Sequence, residues 1–111
     1  MSDFQTITHV KRTAKDHVCN QCGTPIEKGL PAINYKGSYE GYFYCEYDHV
    51  DCNEAAREIN HYVDAYNGEP YFLHQVEEID EAKFLLEKFP AVAARLPFCQ
   101  FVAEENRLAT V

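Results

Sequence analysis

Cys19-Asn20-Gln21-Cys22 and His49-Val50-Asp51-Cys52 decide how this 111-residue chain is read. Each segment holds two metal-ligating side chains separated by two residues. Gly23 follows the first directly, where a positive φ lets a ligand knuckle fold back on itself. Together the segments offer three thiols and one imidazole, the donor set that tetrahedral Zn²⁺ prefers. The 26 residues between Cys22 and His49 leave room for a β-hairpin between two ligand turns. The expected cofactor is one structural Zn²⁺ on Cys19, Cys22, His49 and Cys52. Four protein ligands leave no open position, so such an ion contributes folding energy, on the order of 10 kcal/mol, rather than Lewis-acid chemistry.

The competing reading, buried inert thiols without a metal, is disfavoured by two paired spacings in this order. Cys45 leaves the ligand set open. Cys45-x-x-x-His49 can replace the second pair, or Cys45 and Cys52 can serve with His49 left out. A helix start at residue 52 points His49 and Cys52 at one place and favours that pair. Cys45 is then expected on the last hairpin strand, buried beside the site, and Cys99 in the core.

Working outward, residues 1–18 read as a short strand or arm with Phe4, Ile7 and Val10 as anchors. Residues 31–45 read as a hairpin: Ile33 and Tyr35 alternate in one strand, Tyr42 and Tyr44 in the other, and Lys36–Gly41 form the loop. Residues 53–66 form the clearest helix, with Ala55, Ile59, Tyr62, Val63 and Tyr66 on one side. Asp51 or Asn53 is the expected cap, and Asn67-Gly68 with Pro70 the stop. Residues 71–76 are expected to be extended. A second helix is expected over 78–89 with Asp80 as N-cap and Ile79, Ala82, Leu85, Leu86 and Phe89 as its apolar side. Pro90 ends it. A short helical stretch over 91–96 is stopped by Pro97, and residues 98–111 are ambiguous. The fold class is thus α+β, with a zinc-binding module over residues 1–68 and an acidic, mainly helical extension over 69–111.

The order of knuckle, hairpin and ligand-bearing helix is that of treble-clef zinc fingers. Cys19-x-x-Cys22, Ile26, Lys28-Gly29 and Tyr47-x-His49-x-x-Cys52 resemble the poly(ADP-ribose) polymerase-type finger over about residues 8–60. That family often carries an aromatic residue, usually Trp, two before the histidine; Tyr47 stands there. The resemblance implies the same four metal ligands. It does not carry over DNA-break binding, which in that family uses basic residues and an exposed apolar edge. Here the helix and its flank hold Glu46, Asp48, Asp51, Glu54 and Glu58.

Charge narrows the function. The chain has net charge −8. The first 40 residues are nearly balanced, so the acidity lies in the remainder. An acidic body disfavours sequence-blind nucleic-acid binding, which depends on phosphate neutralisation. The expected function is non-enzymatic protein recognition, as an adaptor or inhibitor of a basic, nucleic-acid-handling partner. Tyr35, Tyr39, Tyr42, Phe43 and Tyr44 would form the aromatic surface. The alternative is a nucleic-acid-binding finger using Lys11, Arg12, Lys15, Lys28 and Lys36. Asp48-His49 with Asn60-His61 resembles an HNH nuclease superficially, but the spacing is short and His49 is wanted by the metal. No deaminase, Walker or dinucleotide motif is present. His9, His17, His61 and His74 are isolated. Residues 1–15 lack an apolar leader run and no segment is apolar enough to span a membrane, so the cysteines read as metal ligands in a reducing, cytoplasmic setting.

Overall fold

The computed structural model describes residues 4–62 and 72–109. Five strands precede the helices: β1 (Phe4–Val10), β2 (His17–Val18), β3 (Pro25–Ile26), β4 (Ala32–Tyr39) and β5 (Tyr42–Asp48). Then come α1 (Val50–Tyr62), a 3₁₀ turn (Leu73–Gln75), α2 (Ile79–Lys88), α3 (Pro90–Ala93) and α4 (Pro97–Ala109). The class is mixed α+β. The chain divides into two compact units, Met1–Asn53 and Glu54–Val111, the division falling inside α1.

In the first unit, β1, β4 and β5 make an antiparallel sheet in that spatial order, and β2 pairs antiparallel with β3. The β4–β5 connection is far tighter than the six-residue loop expected. Tyr39 faces Tyr42, and only Glu40 and Gly41 turn the chain, at φ 49° and 85°. Two successive positive φ values match the twist of a two-residue hairpin.

Lys36 and Gly37 therefore lie inside β4. Gly37 is there for its missing side chain rather than for a turn. The Tyr44 ring crosses β4 at this residue and its hydroxyl donates to Gln5 Oε1 on β1 at 2.8 Å. A Cβ on Gly37 would collide with the Phe4 carbonyl oxygen and the Tyr44 phenol. β1 is a strand as expected, but Phe4 and Ile7 are exposed rather than anchored.

The helical segments depart from expectation in instructive ways. α1 begins at Val50, so Asp51 and Asn53 sit inside its first turn instead of capping it. Val63, Tyr66, Asn67-Gly68 and Pro70 lie outside the described residues. Residues 73–75 are helical, not extended. The Gln75 side chain accepts the Phe72 N–H at 2.7 Å while its own N–H bonds the Phe72 carbonyl, closing one turn. That turn puts Leu73 and Val76 together in the core, as i and i+3 align in a 3₁₀ helix.

α2 matches its expected span, but Glu78 rather than Asp80 is its N-cap and Ile79 is exposed. Pro97 opens α4 instead of stopping α3. Proline has no N–H to leave unbonded in a first helical turn, so a helix start suits it as well as a helix stop. The second unit's core gathers Leu73, Ala82, Leu85, Val92, Leu96, Cys99 and Val102.

Two outcomes follow. Gly37→Ala should destabilise the first unit by about 1–3 kcal/mol through overpacking, read as a lower midpoint in denaturant. Burial pushes the Cys99 thiol up to about 11 from the ordinary 9.0. The folded chain thus holds this proton more tightly than the unfolded one. Its contribution is intact below pH 9 and declines above it, by roughly 2 kcal/mol at pH 11. Denaturation from pH 8 to 11 should show that alkaline loss, and Cys99→Ala should flatten it.

Candidate metal centre

Backbone hydrogen bonds build the knuckle first. Cys19 N–H donates to the Thr24 carbonyl at 2.9 Å and Gly23 N–H to the Cys19 carbonyl at 2.9 Å. Gly23 has φ 76°, the left-handed value that its position after Cys22 predicts. The flanking pairs His17–Ile26 and Val18–Pro25 close β2 on β3 beneath it. Asn20 N–H then donates to the Tyr47 carbonyl at 2.8 Å, and Cys19 bridges Tyr47 in parallel, tying the knuckle to β5. The Tyr47 ring stacks on His17 with centroids 3.6 Å apart, so this aromatic braces the knuckle through both backbone and ring.

His49, between β5 and α1, and Cys52, in the first turn of α1, bring the second pair. Cys19, Cys22, His49 and Cys52 are all buried, and their ligand atoms lie within 4.8 Å of one another. His49 Nδ1 is 3.4 Å from Cys22 Sγ and 3.7 Å from Cys52 Sγ. Metal–sulfur bonds of ~2.3 Å and metal–nitrogen bonds of ~2.05 Å at tetrahedral angles put sulfur and nitrogen ~3.6 Å apart. Both sulfur–nitrogen distances match that edge, and a cluster of four donors within 4.8 Å of one another is compatible with one metal ion.

Outer contacts orient the donors. His49 Nε2 lies 3.2 Å from the Pro25 carbonyl oxygen, which can only accept. The proton is therefore on Nε2, and the Nδ1 lone pair points at the thiols. His49 N–H donates to Cys19 Sγ at 3.3 Å, and Thr24 Oγ1 lies 3.0 Å from Cys22 Sγ.

Three thiols this close share their protons. Hydrogen bonds from Cys19, then Cys52, then Thr24 hold Cys22 far below the ordinary thiol range. Cys19 is raised by its bond to Cys22, and Cys52 by its bonds to Cys19 and Cys22. A metal must displace the protons these sulfurs hold, so its affinity falls as pH falls.

No family model, curated protein or solved structure matches this chain.

Several side chains stand elsewhere than expected. Cys45 is exposed on β5, not buried beside the cluster; its sulfur accepts from Asn34 Nδ2 at 3.4 Å. In the sheet register Cys45 stands beside the exposed Lys36 and Thr6. Asp48, counted with the acidic flank, is buried. Burial pushes its carboxyl up, while hydrogen bonds from Asn53 and Gln21 oppose that. Asn53 Nδ2 donates both to Asp48 Oδ2 and to the Tyr35 hydroxyl, joining the first turn of α1 to β4 and β5.

The supports missed from sequence are Thr24, the Pro25 carbonyl and this Asp48–Asn53–Tyr35 set. Thr24 and Pro25 read only as turn residues, although a hydroxyl two places after a ligand cysteine was a usable signal. Thr24→Val should keep the fold but weaken metal binding by about tenfold, measured by competition with a chromophoric chelator.

Proposed function

We infer that this chain is a zinc-stabilised recognition protein in which Cys19, Cys22, His49 and Cys52 hold one structural Zn²⁺ in a treble-clef arrangement. The burial of three sulfurs and one imidazole nitrogen within 4.8 Å of one another carries this reading. Sulfur-rich tetrahedral sets favour zinc over harder cations, and four protein donors close the site to water. The order of knuckle, hairpin and ligand-bearing helix start supports the treble-clef assignment, and with it the likeness to the poly(ADP-ribose) polymerase-type finger. A reducing, cytoplasmic setting suits thiols that must stay reduced to bind metal.

A closed site leaves binding as the function. The recognition surface is the hairpin tip, where Tyr39, Tyr42 and Phe43 are 62%, 78% and 76% exposed. Rigid aromatic side chains on a tight turn are the usual anchors of protein interfaces. Tyr35 and Tyr44, expected to join them, are half-buried and engaged with Asn53 and Gln5. With net charge −8, the chain suits a basic protein partner. Lys11, Arg12, Lys15, Lys28 and Lys36 are all exposed, but Asp16 and Glu27 are exposed among them, and the Asp16 carboxylate accepts the Lys28 N–H at 2.7 Å. That interleaving of sign weakens any phosphate-binding patch. No helix of the described residues is long and apolar enough to cross a membrane.

The purified chain should hold one zinc per molecule by elemental analysis. Cys22→Ser should release it and remove the circular-dichroism signal of the first unit. A Cys22→Ser variant that keeps full zinc would sink the ligand set. The zinc-loaded chain should not bind duplex, nicked or single-stranded nucleic acid at low salt. Binding there that weakens steeply with added salt would replace protein recognition by the nucleic-acid reading.

A further inference from the structure

We propose that the outer edge of β1 is a self-association surface, on which a second copy of this chain adds its own β1 antiparallel about a two-fold axis through Ile7. β1 lies at the end of the sheet, and among the described residues nothing pairs with its outer side. Every residue from Phe4 to His9 is exposed. Phe4 and Ile7 are each 53% exposed, and the register puts them on opposite faces of the strand, Phe4 opposite Ser38 and Ile7 opposite Tyr35. A partner lying on one face of the sheet would cover only one of them. A strand added in line flanks both. Edges are normally blunted by lysine, proline or a bulge, and Phe4–Val10 has none of these.

The sequence of the strand selects a second copy as the occupant. Phe-Gln-Thr-Ile-Thr-His-Val reads alike from both ends: apolar, polar, Thr, Ile, Thr, polar, apolar. Across a two-fold axis at Ile7, the isoleucines face each other, Thr6 faces Thr8, Gln5 faces His9 and Phe4 faces Val10. Thr–Thr and aromatic–β-branched pairs are favourable cross-strand partners, and an isologous interface needs such self-complementarity.

Charge agrees. The strand carries no formal charge in a chain of net −8, so two copies meet there without like-charge repulsion. The opposite edge, β5, is a poorer candidate. It carries Glu46 and Asp48, and the Tyr47 carbonyl is already bonded to Asn20. Pairing through β1 gives one continuous six-stranded sheet and leaves both hairpin tips open.

The test uses the full chain carrying Cys45→Ser. Under mild oxidation Ile7→Cys should form an intermolecular disulfide, because residues facing across an antiparallel pair stand about 4.5–5.5 Å apart, within disulfide reach. Gln5→Cys should not, because its two copies stand about 14 Å apart along the strand. Sedimentation equilibrium of the chain without added cysteines should give the mass of a dimer. Ile7→Lys and Thr8→Lys, exposed positions on opposite faces, should each weaken association by about tenfold or more with unchanged circular dichroism. A monomer at every concentration, a dimer indifferent to both lysines, or Gln5→Cys linking as fast as Ile7→Cys would overturn the proposal.

Discussion

Everything in the first unit hangs on the meeting of two short turns, one bearing Cys19 and Cys22, the other His49 and Cys52. The two-residue pairing of β2 with β3 is too short to hold the knuckle alone. Bonds from Asn20 to Tyr47 and from His49 to Cys19 tie it to the sheet and the helix start, and both converge on the four donor atoms. A charged cluster of this kind is costly when half assembled. A cation bound among these buried sulfurs would offset their crowding and so couple metal binding to folding.

The sheet supplies the rigidity that the knuckle lacks. β4 is its central strand and carries most of the cross-links. Asn34 reaches the Glu46 carbonyl, Tyr35 receives Asn53, and Gly37 lets the Tyr44 ring pass over to Gln5. These contacts hold the hydroxyls of the half-buried Tyr35 and Tyr44 against specific partners. Phe4 of β1 faces Ser38, next to the turn where Tyr39, Tyr42 and Phe43 are exposed.

Metal-ligating spacing is legible because it is local: two residues between ligands is a property of one turn, and Cys19, Cys22, His49 and Cys52 come together where that spacing predicts. The helix periodicities around Ile59 and Leu85 were legible for the same reason. The misreadings share a different cause. Gly37 looks like a loop glycine until Tyr44, seven residues on, is seen to occupy its missing side chain. Cys45 looks like a ligand by number, yet it stands exposed on β5 beside Lys36. Pro97 is equally good at ending one helix and beginning the next. Gln75 converts an apparently extended run into a turn through its own side chain. In each case a contact the residue makes, or the face it occupies, decided between two readings that sequence alone left equal.

The exposure of Cys45 separates it chemically from its four sister cysteines, which are all buried. While the fold holds, an alkylating dye meets a single accessible sulfur. Were the knuckle to open, three more would come within reach. The number of dyes taken up per chain therefore reads out the state of the four-residue cluster, with Cys99 reporting separately on the helical unit.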